Sequence, residues 1–267
     1  MMGPMPLRVV ELPPPGEGFP WSLPLLRTTR SLDLDPRMTL LVGENGSGKS
    51  TLLEAMALAA DLPTAGAHDL ARDPTLDGLR PFAAAMRLSW TARSRRGLFL
   101  RAEDYFGYVQ RHRAEQAALR AEAERVAREA ADAPEGERRR RMGVFLGPAR
   151  AADARYGGDL DHRSHGESFL AFFRARLRGG GLVLLDEPEA ALSPLRQLAL
   201  VALLREAAEH GAQFVLATHA PILMAFPGAT ILQLSDAGVR RARFDDLEAV
   251  RTLRAFLADP DGFVRRL

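Results

Sequence analysis

The chain contains no cysteine, which excludes disulfides, iron–sulfur clusters, cysteine zinc sites and thiol nucleophiles together. It has almost no lysine: of 36 basic residues, 35 are arginine and the single lysine is Lys49. In a sequence that otherwise uses arginine throughout, that position calls for a compact ammonium that a planar guanidinium does not replace. Net charge is equally scarce, at +2, so charge alone gives no argument for a polyanionic partner. The apolar stretch from Phe214 to Leu234 has the length of a membrane span. It is broken by His219, Pro221, Pro227 and Gly228, and it reads as strand, turn, helix and strand instead. The first sixteen residues lack an apolar signal core and are interrupted by Pro4, Pro6 and Pro13 to Pro15. A cytoplasmic chain without a membrane span is therefore expected.

At 267 residues, with 46% hydrophobic and 26% charged positions, the chain is large enough to fold without covalent staples. Residues 7–12 and 38–42 have the Val, Leu and Thr enrichment of strands, and a helix is expected from Lys49 to Leu62. Short strands follow at Met86 to Trp90 and Gly97 to Leu100. From Tyr108 to Asp132 the composition turns to Ala, Glu and Arg, strong helix formers, with Glu124/Arg128 and Arg125/Glu129 one turn apart. No heptad seam is sustained there, which excludes a long coiled-coil arm. Pro134, Gly136 and a loop-like stretch at 143–163 are expected to close this helical insert, which spans about 105–163. Alternation returns with a helix at Phe169 to Arg178, a buried strand at Leu182 to Leu185, a helix at Pro194 to Glu209, and strands at Ala212 to Ala217 and Ala229 to Leu234. A helical tail occupies 245–267 and shows Leu247, Val250, Leu253 and Phe256 at helical spacing. Strands alternating with helices predict an α/β fold with a mostly parallel sheet covered on both faces.

Two motifs carry chemistry. Gly43-Glu44-Asn45-Gly46-Ser47-Gly48-Lys49-Ser50 fits the phosphate-binding pattern G-x-x-x-x-G-K-[ST] and sits between a strand and a helix. Its glycines let backbone N–H groups curl around a phosphate, and the helix that follows adds its positive end. Lys49 is placed to reach β- and γ-phosphate oxygens, Thr51 joins the loop in binding the nucleotide, and the Ser50 hydroxyl is a ligand for Mg²⁺. Leu182-Val183-Leu184-Leu185-Asp186-Glu187 is an apolar strand ending in two acids. There Asp186 would hold Mg²⁺ through water, and Glu187 would orient or deprotonate an attacking water. His219 ends the next apolar strand and reads either as a packed histidine or as a γ-phosphate sensor. Ser164 to Ser168 reads as an N-cap box, Ser164 with Glu167, or as something sharper in this context.

The order of these motifs, with an S-x-G-E turn shortly before the acid pair and a histidine about thirty residues after it, resembles that of ABC-type ATPases. It differs from the order in AAA+ and RecA-like ATPases. The turn is similar to the Leu-Ser-Gly-Gly-Gln signature, with Ser164 and Gly166 matching its serine and second glycine. Glu187 to Pro194 resembles the segment from Walker B to the D-loop. Gly-Glu-Asn-Gly in the P-loop, Glu-Pro-Glu, and Ala-Thr-His-Ala-Pro-Ile-Leu look like the RecF/SMC-like branch and the small stand-alone bacterial AAA family ATPases. The likeness extends to Arg101 to Asp104 and to Arg254 to Pro260. It implies a single ABC-type ATPase domain over 1–267, binding ATP and Mg²⁺ and hydrolysing ATP. It also implies a head-to-tail homodimer formed on ATP binding, in which the partner's Ser164 and Gly166 cap the γ-phosphate. The expected role is nucleic-acid maintenance or defence, with nucleic acid or an effector protein as partner. A transporter's nucleotide-binding subunit and a nucleotide switch with little turnover are the alternatives.

Several positions depart from that pattern. Arg101 and Glu103 stand where the family's Q-loop glutamine belongs, His165 replaces the signature's first glycine, and Ser193 replaces the D-loop aspartate. Phe19 or Trp21 is suitably placed upstream to stack on adenine, though core packing is the favoured reading of either. The run Arg138 to Arg141 reads as a solvated face or as a weak phosphate contact.

Overall fold

The computed structural model describes residues 7–64, 70, 73–91, 97–155, 165–177 and 180–266. Ser164 lies outside the described residues. In chain order the strands and helices are β1 (Leu7–Glu11), β2 (Ser31–Asp33), β3 (Met38–Val42), α1 (Lys49–Ala59), α2 (Arg80–Ala85), β4 (Arg87–Trp90) and β5 (Gly97–Arg101). Then come α3 (Ala102–Glu129), α4 (Glu135–Arg155), α5 (His165–Arg176), β6 (Gly181–Asp186), α6 (Pro194–Glu209) and β7 (Ala212–Ala217). The chain ends with α7 (Pro221–Met224), β8 (Thr230–Ser235), β9 (Gly238–Ala242), α8 (Glu248–Ala258) and α9 (Pro260–Val264).

Two sheets form. The larger has the order β5-β6-β7-β3-β8-β9. Its first five strands are mutually parallel, and β9 turns back antiparallel on β8. Every residue of β3, β6 and β7 is buried, as expected of central parallel strands covered on both faces. The smaller sheet, β2-β1-β4, is antiparallel. One buried side chain joins the two. Gln213 on β7 donates to the Leu7 carbonyl at 2.7 Å and to the Asp35 carbonyl at 2.8 Å, and accepts from Leu7 N at 3.0 Å. Its amide is thereby fully used, which is what allows a polar group to sit in a core.

The chain divides into two compact units. One carries both sheets with α1, α2 and α6 to α9; the other carries α3 from Glu103 onward, α4 and α5. The first has a core in which Leu7, Leu25, Leu26, Phe82, Phe99, Leu184 and Val215 are buried together. In the second, Phe169 and Phe173 of α5 pack with ring centroids 4.7 Å apart.

The structure differs from the sequence reading at several points. The expected loop at 143–163 is helical up to Arg155, as α4. Glu135 and Glu137 pair one turn ahead with Arg139 and Arg141, and these surface pairs support the helix through Gly143 and Gly147. The same pairs partly neutralise the arginine run at 138–141, in favour of the solvated-face reading. Helix α3 begins at Ala102, before the compositional shift. Helix α1 stops at Ala59, near Asp61, which takes a left-handed φ of 52°. Pro260 ends one helix and opens the next, because a first-turn position needs no backbone N–H.

Candidate functional site

The C-terminal ends of three adjacent strands build the site. Strand β3 feeds the loop Gly43 to Gly48, β6 ends at Asp186, and β7 leads to Thr218 and His219. The registers place Leu41 opposite Ala217 and Ala217 opposite Asp186, so the three loops leave the sheet at one level.

The loop's shape demands its glycines at two places. A Cβ on Gly43 would lie 2.4 Å from the Leu234 carbonyl oxygen. Gly48, at φ 93°, is the left-handed N-cap of α1, and a Cβ there would lie 3.1 Å from Leu25. The first intrahelical bond runs from Leu52 N to the Gly48 carbonyl at 2.9 Å. The N–H groups of Lys49, Ser50 and Thr51 precede it, and Gly48 brings no side chain to cap them. Lys49 is only 4% exposed, and its Nζ donates to the carbonyls of Gly43 (2.9 Å) and Glu44 (2.8 Å). Burial pulls its ammonium below the usual lysine value, and the negative charges of Glu187, Asp186 and Glu189 oppose that shift.

Across the sheet, Ser50 Oγ donates to Asp186 Oδ1 at 3.1 Å. Burial pushes the Asp186 carboxyl up to about 6, and the charge of Glu187 pushes the same way. The Ser50 hydrogen bond, Arg101 and Lys49 hold it back. The next residue, Glu187, has left-handed backbone at φ 47°, ψ 49°, an uncommon state for a side chain with a Cβ that costs about 1 to 2 kcal/mol. Its N–H is held by the Ala217 carbonyl at 3.0 Å. The turn aims its carboxylate at His219, whose Nε2 lies 3.3 Å from Glu187 Oε1, without hydrogen-bond alignment. Both side chains remain partly open to solvent.

Glu189 was not singled out by the sequence. Its Oε1 accepts from Thr218 Oγ1 (2.6 Å), His219 N (2.7 Å) and Ala220 N (3.1 Å). The Glu-Pro-Glu spelling was the only signal available for it.

The residues suit a magnesium-bound nucleotide on their own chemistry. The cradle is one that a Cβ at Gly43 would close, the Ser47 hydroxyl inside it is buried with no partner, and Ser50 and Asp186 present the hard oxygens that Mg²⁺ takes. Among the described residues there is no cluster of three or more His, Asp or Glu side chains that would hold a metal by themselves.

Residues 168–225 match the family model described as "AAA domain, putative AbiEii toxin, Type IV TA system", and residues 25–67 match the one described as "AAA domain". The pyoverdine export ATP-binding/permease protein PvdT of Pseudomonas savastanoi is 28% identical over 235 residues, which is 86% of this chain and 33% of that protein. The protein of the same name from Pseudomonas fluorescens is 30% identical over 204 residues, 73% of this chain and 28% of that protein. The site and these relatives decide the class. The domain is an ABC-type P-loop ATPase.

The chain spans about a third or less of the length of these two relatives. Among solved structures, cbiO1 from Clostridium perfringens, titled as part of the ABC transporter complex cbiONQ, is 16% identical. It covers 97% of this chain and 99% of its own at a TM-score of 0.48, and the fold assignment rests on the sheet order instead. Among the described residues, no helix of this ABC-type ATPase is long and apolar enough to cross a membrane.

Where the family's Q-loop glutamine belongs, Arg101 is 8% exposed. Its Nε lies 3.1 Å from Glu54 of α1, its Nη1 3.6 Å from Asp73, and its guanidinium sits over the Phe99 ring. A buried, ion-paired arginine braces β5 against α1. Trp21 packs edge-on against Phe82 with centroids 5.2 Å apart, and Phe19 is exposed. Neither lines the cleft of about 1090 Å³ beside the P-loop. That cleft is walled by Asn45, His219, Ser235, Leu253, Phe256 and Phe263, so the tail helices, and not the segment near Trp21, border the P-loop on that side. Gly166 falls in the first turn of α5.

Proposed function

We propose that this ABC-type ATPase binds MgATP and hydrolyses it to ADP and phosphate, with two copies closing head to tail around the nucleotides. The observation that carries the reading is the Ser50–Asp186 hydrogen bond, which joins the start of the P-loop helix to the end of the Walker B strand in one polar site. In this reading the amides from Gly43 to Thr51 and the Lys49 ammonium bind the phosphate oxygens. Ser50 and Asp186 would hold Mg²⁺, which when bound supplies charge neutralisation on those oxygens. Glu187 accepts a proton from water on the γ-phosphate side, and His219 steadies that oxygen. Ser164 and Gly166 of the second copy complete the enclosure, so binding of the nucleotide favours the closed pair. We place the activity in the cytoplasm.

The toxin-system description of the family model over 168–225 supports the defence side of a role in nucleic-acid maintenance or defence, and an ion-paired arginine where the Q-loop glutamine belongs weighs against a transporter subunit. The names of the relatives, which pair ATP-binding with a permease, support a second reading as the nucleotide-binding part of an exporter. Phosphate release is measured for the purified chain with MgATP, with and without DNA or RNA. Turnover stimulated by nucleic acid is expected. Turnover indifferent to nucleic acid but raised by a co-expressed membrane-spanning partner favours the second reading, and no nucleotide binding at all overturns both.

A further inference from the structure

We infer that Glu189 is a positioning residue that ties the Walker B turn to the loop carrying His219, and so sets the Glu187–His219 pair. The inference rests on the ATPase reading above.

Glu189 follows Glu187 by two residues, with Pro188 between them, in the single helical turn Pro188–Ala191. That turn exists because Glu187 is left-handed, which reverses the chain at the end of β6. The reversal brings the Glu189 carboxylate under the next loop. There one oxygen gathers three donors: the Thr218 hydroxyl at 2.6 Å and the backbone N–H groups of His219 at 2.7 Å and Ala220 at 3.1 Å. Thr218 is fully buried, and its hydroxyl oxygen also accepts from Ala220 N at 3.0 Å. These bonds fix the backbone of the loop from both sides of His219.

The second carboxylate oxygen, Oε2, is buried and has no partner. All three donors converge on Oε1, so that oxygen serves the loop alone. Together with the bond from Glu187 N to the Ala217 carbonyl at 3.0 Å, it closes a ring. Glu187 is fixed to β7 through its own N–H, and His219 is fixed to the turn after Glu187 through Glu189. The 3.3 Å approach of the two side chains is therefore set by backbone attachments at both ends. Glu189 touches neither ring nor carboxylate of that pair in these contacts; it acts through the loop.

The test compares wild type, Glu189→Ala, Glu189→Asp, Glu189→Gln, His219→Ala and the double variant Glu189→Ala/His219→Ala. ATP affinity, kcat and KM are measured for each. Glu189→Ala and Glu189→Asp are expected to keep wild-type ATP affinity while kcat falls about 10- to 100-fold, as misplacement of a reacting group by about an ångström does. Aspartate folds as a carboxylate but retracts by one methylene from the three donors, so it reads the role even if alanine fails to fold. Glu189→Gln, whose amide oxygen still accepts, recovers most of the rate. The double variant falls no further than His219→Ala alone. Wild-type kcat in Glu189→Ala or Glu189→Asp, or losses that multiply in the double variant, overturns the role of Glu189 and leaves the ATPase reading standing. Absence of turnover in wild type overturns both.

Discussion

Ser50 and Asp186 stand 136 positions apart in the sequence and share a hydrogen bond of 3.1 Å. The serine is in the first turn of α1 and the aspartate is the last residue of β6, so the bond closes the front of the site across the sheet. It leaves Asp186 9% exposed, in a place that disfavours its charge.

The first prediction follows from that burial. Asp186 titrates near 3.8 in an unfolded chain and near 6 in the fold, so the folded state prefers the protonated form. Below 3.8 both states carry the proton and the burial penalty vanishes; above about 6 it is fully present. Stability of metal-free protein is therefore expected to decline across that window as pH rises. Asp186→Asn, which keeps an acceptor for Ser50, removes the penalty and gains up to about 3 kcal/mol at neutral pH but nothing near pH 3.5. Thermal unfolding in chelator-containing buffers checks this. A gain that is the same at both pH values counts against it.

Lys49→Ala is expected to weaken MgATP binding about 100-fold, because it removes a charge-assisted contact from a buried site. Lys49→Arg does not restore it. The ammonium sits among loop carbonyls at 2.8 and 2.9 Å, where a planar fork does not fit. Titration with a fluorescent ATP analogue reads both variants, and wild-type affinity in the arginine variant would refute the argument from shape.

Glu187→Gln keeps the shape of the turn and removes the base. Turnover is expected to fall about 100- to 10,000-fold while ATP still binds, and an ATP-dependent dimer accumulates. Phosphate release and light scattering on the same sample report the two effects. Retained turnover in this variant is the outcome that removes Glu187 from the mechanism.

Two glycines of one loop, both at positive φ, differ in whether a clash is added to the conformational cost. At Gly46, φ is +80° and an added Cβ meets nothing within 4 Å, so Gly46→Ala costs about 1 kcal/mol. At Gly43 the Cβ would meet the Leu234 carbonyl at 2.4 Å, and Gly43→Ala costs on the order of 2 kcal/mol or more, with loss of nucleotide binding. Denaturant unfolding of the two variants side by side gives the order.

The P-loop and the acid pair were legible because their chemistry fixes a local spelling: glycines where backbone must approach phosphate, acids where a buried strand ends. The alternation of strands and helices gave the parallel sheet in the same way, since β3, β6 and β7 are buried on both faces and read as unbroken apolar runs. Helix α4 was obscured by Gly143, Gly147 and Pro148, which look like loop residues and are carried by helix formers and ion pairs around them. Strand β9, rich in arginine at an edge, has no apolar alternation to show. The role of Glu189 was hidden for a different reason. Its partners lie 29 to 31 positions away, and only the pairing of β6 with β7 brings them within reach.

The single lysine of the chain has its amine sunk in the phosphate loop and held by two carbonyls. Acylating reagents that scatter over the surface of most proteins have one internal target here. The extent to which a nucleotide shields that amine from modification is therefore a direct occupancy gauge, obtained by mass spectrometry without engineering a reporter into the protein.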